Sequence, residues 1–189
     1  CLKVPGRYTF WPSTAAGSGH PTSSLSAAHL SAVLWSDHLR YDVADPKGLA
    51  NDRFVLSKGH ASPLMFSILK AVGAIGDEQL LSFRRFGSPL QGHPVPLPDM
   101  PWIDVATGSL GQGLPIALGM ALAMRMDGIP ARVWCLLGDS EVAEGSVVST
   151  DPSAGTDVAP GTAVDYVVSL GIEPTPTPEP TPATVFIPD

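Results

Sequence analysis

Residues 148–189 contain no lysine or arginine; all 11 basic residues of the 189-residue chain lie before Val148. Neither side of that point carries a basic stripe able to neutralise phosphates along a duplex, so nucleic-acid binding is not expected. Cysteine is scarce as well, with only Cys1 and Cys135. That argues against a disulfide framework and for a reducing compartment. Cys135 sits among Val133, Trp134, Leu136 and Leu137 and reads as a small buried hydrophobe rather than a reactive thiol. No apolar run approaches the roughly 20 residues needed to cross a bilayer as a helix. No signal-peptide pattern is visible, and Cys1 rather than Met opens the chain, which leaves the start of the protein open. Asparagine occurs once, at Asn51.

What is present suffices for a packed domain: 44% of residues are hydrophobic, with four Trp and six Phe. Its distribution is uneven. Residues 148–189 hold six of the 18 acidic residues and eight of the 20 prolines, and so supply six of the seven net negative charges. A composition break near Val147 therefore divides the chain into a first domain, 1–147, a β-rich segment, 148–172, and a Thr/Pro-rich linker, 173–189. PTPTPEPTPA within that linker cannot donate to a ladder and predicts an extended, semi-rigid strap.

In the first part, apolar residues alternate between two grammars. Leu25, Ala28, Ala32 and Trp35 recur at helical spacing, with Thr22 or Ser23 as N-cap. RFVLS predicts a strand buried on both faces, followed by a helix capped by Ser62, with Pro63 in its first position and Gly73 at its end. DEQLLSFRRFG predicts a helix closed by Gly87, WIDVAT a strand, LPIALGMALAMRM a helix closed at Gly128, and ARVWCLLGD a further strand. Strands alternating with helices predict an α/β fold with a parallel sheet and ligands at the carboxyl ends of its strands. VVSTDP and VDYVV, separated by Asp-Pro and Pro-Gly turn signals, predict an antiparallel piece afterwards.

Four short segments carry chemistry: SGHP with His20, SKGH with Lys58 and His60, QGHP with His93, and GDSEVAEGS with Asp139, Glu141 and Glu144. Three of these histidines directly follow glycine, where no side chain blocks approach to the backbone. GSLGQG opens a helix and offers backbone N–H groups to an anion such as a diphosphate. Asp139, after a buried strand, suits either a hard-cation ligand or a helix N-cap.

STAAGSGHPTSS, LSKGHASPL, GSPLQGHP, ATGSLGQGLPIALGMA and CLLGDSEVAEGSV, in this order, resemble the N-terminal part of transketolase over Ser13 to about Val147. The resemblance implies a thiamine diphosphate- and Mg²⁺-dependent transferase that moves two-carbon ketol units between sugar phosphates, homodimeric and cytoplasmic. By that resemblance His60 and the turn Gly108, Ser109 and Leu110 contact the cofactor. Gly138, Asp139 and Ser140 form the loop that holds its diphosphate, and Asp139 binds the metal. His20 and His93 face the sugar, and Glu144 matches an acid near the dimer interface that connects the two active sites.

Several features depart from the family pattern. CLKVPGRYTFWP does not read as the basic amphipathic helix that should precede STAAGSGHP. After Val147 the family should continue with a Trp-Glu-Ala helix and a strand ending in an asparagine that completes the metal site, yet Asn51 lies far upstream. The stretch from Gly145 to Gly171 instead resembles the C-terminal half of a PASTA repeat, an extracytoplasmic β module. The fold class expected is thus an incomplete three-layer parallel-sheet thiamine diphosphate-binding domain, then a short antiparallel β segment and a Pro-rich tail. On this reading the chain is chimeric, inactive alone and marginally stable. The alternative is a PASTA-like binding or stalk segment behind an inert enzyme portion.

Overall fold

In the computed structural model, residues 5–138, 141, 147–151 and 165–168 are described. They fall into two compact units, Cys1–Glu141 and Val142–Asp189.

The first unit begins with α1, Pro5–Ala16. A helix thus spans the stretch whose composition gave no helix signal. Tyr8 and Trp11, one turn apart, meet edge to face at 5.1 Å, and Thr9 is buried. Tertiary packing of α1 on the helix at Ser62–Ala71 overrides local propensity there.

The next helical run is broken in two, as α2, Pro21–Ser26, and α3, Ala28–Val33, with a π-turn at Leu34–His38. Neither Thr22 nor Ser23 caps it. His20 takes the N-cap position without a side-chain bond, and Pro21 occupies the first turn, where its missing N–H costs nothing.

β1, Arg53–Leu56, pairs in parallel with β2, Val133–Leu136, in the register Phe54 to Trp134 and Val55 to Cys135. This is the parallel sheet that the alternating pattern predicts, with two strands among the described residues. Both strands are aligned at their entry by Asp52. Its fully buried carboxylate accepts from the Arg132 backbone N–H at 2.8 Å, the Trp134 indole at 3.1 Å and the Arg40 backbone N–H at 3.1 Å. The guanidinium groups of Arg40 and Arg132 complete the set at 3.1 and 3.0 Å. Burial alone would raise the pKa of this carboxyl; the donors outweigh it and hold it near 2.

Behind β1, a 3₁₀ turn at Gly59–Ala61 leads into α4, Ser62–Ala71. This helix is apolar nearly all round and lies buried at the centre of the unit. Leu64, Phe66, Ile68 and Leu69 are fully buried, and Phe66 meets Phe83 at 5.8 Å. Ser62 does not cap it: its hydroxyl donates to the Gly92 carbonyl at 2.7 Å and ties a distant loop to the helix start. Gly73, at φ +83°, ends the helix as its position suggested.

Two elements differ from the sequence pattern. The helix at DEQLL stops at Leu81 as α5, Asp77–Leu81, because Arg84 turns back at φ +59° and gives its N–H to the Leu90 carbonyl. WIDVAT is not a strand. Prolines 96, 98 and 101 remove ladder donors just before it, Trp102 donates its indole N–H to Val43, and the Thr107 hydroxyl bonds the Leu56 carbonyl at 2.6 Å.

α6, Gly113–Met126, follows and ends as expected before Gly128 at φ +66°. Gly113 and Ala117 are its buried residues. The second unit contains β3, Val147–Asp151, antiparallel to β4, Asp165–Val168, with an irregularity between Val147 and Ser149.

Candidate cofactor cleft

The carboxyl ends of β1 and β2 release the chain into two loops, and each loop is held against the turn before α6. Two glycines allow this for the loop after β1, and the Glu141 carboxylate ties the end of β2 to the Gly111 N–H. A β-carbon at Gly59 would lie 2.3 Å from the Thr107 carbonyl oxygen, and one at Gly113 would lie 2.5 Å from Cα of Ser57. Both positions are therefore closed to any side chain.

The loops enclose a cleft of about 400 Å³ lined by Thr22, Ser23, Ser26, Lys58, His60, Leu110, Gly138 and Glu141. Its walls carry one ammonium, one imidazole, three hydroxyls and the Glu141 carboxylate. The carboxylate is engaged by the Ser57 hydroxyl and the Gly111 and Gly138 N–H groups, so the groups left to face a ligand are mainly donors suited to an anion. Lys58 Nζ is held by the Ser26 hydroxyl at 3.2 Å. His60 comes from the 3₁₀ turn, and its ring meets that of His20 edge on at 5.3 Å. Burial holds the His60 imidazole below its usual pKa, and the charges of His20 and Lys58 act in the same direction. Glu141 opposes them, and His93 adds a small lowering effect.

Residues chosen from sequence are distributed as follows. His20, His60, Leu110 and Gly138 come together at or beside the cleft. His93 lies against the glycine turn, its ring 3.5 Å from where a Gly108 β-carbon would be. The Ser109 carbonyl closes the turn on the Gln112 N–H. Gly138 gives its N–H to Glu141 at 2.8 Å, so this donor is already engaged. Asp139, Ser140 and Glu144 lie outside the described residues, as does most of the stretch read as PASTA-like. Among the described residues no group of three or more His, Cys, Asp or Glu could hold a metal. Asn51 is committed elsewhere: its amide donates to the Asp42 and Asp45 carbonyls and accepts the Asp42 N–H.

Sequence reasoning missed Ser57 and gave Glu141 no role. Ser57 is fully buried at the end of an apolar strand, and a buried hydroxyl there requires partners, which was the signal available. It donates to a Glu141 carboxylate oxygen and accepts the Gly113 N–H at 3.1 Å. Cys135 is half-buried rather than fully enclosed, and burial raises its thiol to about 11, with Glu141 adding to the effect. It is a thiol, not a thiolate, at neutral pH.

Fold and site together define an α/β protein with a donor-lined cleft at the carboxyl end of a parallel sheet. The family model described as "Transketolase, thiamine diphosphate binding domain" matches residues 13–157, and the chain belongs to this family. The match runs beyond Val147, where the composition changes. Mouse transketolase is 51% identical over 143 residues, covering 75% of this chain and 23% of that protein. Human transketolase is 53% identical over 135 residues, covering 71% and 21%. An apulose-4-phosphate transketolase component from Phocaeicola vulgatus is 39% identical over 132 residues, covering 70% and 46%. Among solved structures, transketolase from Campylobacter jejuni superposes with a TM-score of 0.65 at 34% identity, covering 72% of this chain and 23% of that one. Transketolase from Leishmania mexicana gives 0.64 at 31% identity, covering 71% and 22%. The chain thus spans about a fifth of the length of the first transketolases it matches.

Proposed function

We propose that the cleft receives the diphosphate of thiamine diphosphate, with Mg²⁺, as part of an enzyme that transfers two-carbon ketol units between sugar phosphates. The observation that carries this reading is the convergence of Lys58, His60 and the hydroxyls of Thr22, Ser23 and Ser26 beside the glycine turn of a transketolase-family domain. The set fits a diphosphate: the ammonium, oriented by Ser26, offsets its charge, and the Thr22 and Ser23 hydroxyls and the imidazole hydrogen-bond its oxygens. When bound, the cofactor supplies the carbon nucleophile and electron sink of the reaction.

His20 and His93, flanking His60 and the glycine turn, are assigned to the sugar, donating hydrogen bonds to its oxygens and holding protons there. His60 stays neutral at pH 7, since every large influence on it except Glu141 disfavours its cation. Asp139 is assigned to the metal, with Gly138 and Ser140 beside it, and Glu144 to an interface with a second copy. The asparagine that the family pattern pairs with Asp139 has no counterpart in this chain, because Asn51 is spent on a turn. Cofactor affinity is therefore weak and turnover by the 189-residue chain absent. A cytoplasmic setting accords with the family. The PASTA-like reading of residues 148–172 rests on their sequence alone, and the family match extends into that stretch as far as residue 157.

The test is calorimetric titration of the chain with thiamine diphosphate in the presence and absence of Mg²⁺. Weak, Mg²⁺-dependent binding that Lys58→Ala reduces about tenfold, as loss of one charge-assisted contact does, is the expected result. No binding at millimolar cofactor would refute the reading.

A further inference from the structure

Glu141 stands just beyond the metal-motif aspartate, and its carboxylate is engaged on both oxygens. Oε2 accepts from the Ser57 hydroxyl and from the Gly111 N–H at 3.0 Å. Oε1 accepts from the Gly138 N–H at 2.8 Å. Ser57 continues the chain of bonds, since its oxygen accepts the Gly113 N–H at 3.1 Å, while its own backbone N–H donates to the Leu136 carbonyl at 2.9 Å. One side chain therefore joins three segments far apart in sequence: the end of β1, the turn that opens α6, and the end of β2.

Only glutamate satisfies this arrangement. Glutamine keeps the length but offers a single acceptor oxygen, so it can hold one loop and must release the other. Aspartate keeps both oxygens on a stem one methylene shorter. The bonds are charge-assisted and so among the stronger ones available to a partly exposed group. They also commit the Gly111 and Gly138 donors, and the Ser26 hydroxyl already donates to the Ser23 carbonyl, which leaves Lys58, His60, Thr22 and Ser23 to donate from the cleft wall.

We propose that Glu141 is a positioning residue of this cleft, setting the spacing between the glycine turn before α6 and the end of β2 at Gly138. The proposal rests on the thiamine diphosphate reading above. It differs from the roles given to Asp139 and Glu144, because Glu141 acts on backbone donors rather than on the metal or a second copy.

The experiment uses the full 189-residue chain, unsubstituted and as Glu141→Gln and Ser57→Ala. Two quantities are read: amide hydrogen exchange at Gly111, Gly113 and Gly138, and calorimetric binding of thiamine diphosphate with Mg²⁺. Glu141→Gln should speed exchange at Gly111 or Gly138 while leaving α4 amides unchanged. It should also weaken cofactor binding by about tenfold or more, the usual cost of removing a group that orients a metal or cofactor ligand. Ser57→Ala should free the Gly113 amide and weaken binding less. If Glu141→Gln binds the cofactor as tightly as the unsubstituted chain, or if Gly111 and Gly138 remain protected, the positioning role is wrong. If the unsubstituted chain does not bind at millimolar cofactor, the cofactor reading falls first and this role with it.

Discussion

Helices α4 and α6 are built from similar material and end up in opposite surroundings. Each follows a glycine-bearing turn that packs against the end of β1, and each is apolar on nearly every face. α4 has eight buried residues, from Ser62 to Leu69, whereas α6 buries only Gly113 and Ala117. Leu114, Leu118, Leu122 and Met126 recur every four residues along α6 with exposures of 39, 58, 52 and 87%. Beside β2, an apolar groove of about 310 Å³ is lined by Leu30, Val33, Leu34, Trp134, Cys135 and Leu136. The contrast teaches that composition decides whether a helix needs cover, while the surrounding chain decides whether it receives it. On the α4 side the core is closed; on the α6 side it is open among the described residues.

The largest effect should come from the closed side. Phe66→Ala removes a fully buried ring and should cost about 3–5 kcal/mol, whereas Leu118→Ala on α6 should stay within about 0.5 kcal/mol. Urea unfolding followed by tryptophan fluorescence separates the two, and equal losses would erase the contrast.

Next comes Asp52, where both strands meet the Arg40 segment. Asp52→Ala strands the Arg132 and Arg40 amides and the Trp134 indole and should cost about 3 kcal/mol. Acid should act on the same group. Its pKa in the fold is about 2, against 3.8 ordinarily. The stability it provides is fully present above pH 3.8 and is lost as pH falls towards 2, amounting to about 2 kcal/mol. His60, lowered from 6.5, also favours the fold at higher pH and withdraws support as pH falls through 6.5. Thermal melts at stepped pH should therefore drop in two separate windows in the unsubstituted chain, and only in the upper one in Asp52→Asn.

Within α6, a pair of glycines sharpens the comparison further. Gly113→Ala places a methyl 2.5 Å from Ser57 and should destabilise by about 1–3 kcal/mol. Gly119→Ala meets nothing within 4 Å and should stabilise by about 0.5–1 kcal/mol. The smallest effect on stability should follow Leu118→Gln with Leu122→Gln, which should chiefly lower dye binding to exposed apolar surface and reduce association.

Much of this architecture is written locally. The strand at RFVL, the helix ended by Gly73 and the helix ended before Gly128 follow from apolar periodicity and glycine placement. WIDVAT misled because its apolar residues serve the core from a loop: Ile103 is buried, yet the segment makes no ladder. α1 was illegible because its order comes from packing on α4 rather than from its own pattern. In the cleft, His20, His60 and the glycine turn were visible as short motifs. Ser57 was not, and Glu141 was visible within GDSEVAEGS without a role, since a bond between residues 84 positions apart leaves no local trace.

Native-state hydrogen exchange on the full chain tests the central contrast most directly. Amides of α4 should exchange only with global unfolding, while those of the last two turns of α6 should exchange orders of magnitude faster through local opening. Uniform protection across α4 and α6 would contradict this, by showing that the apolar face of α6 is covered in solution.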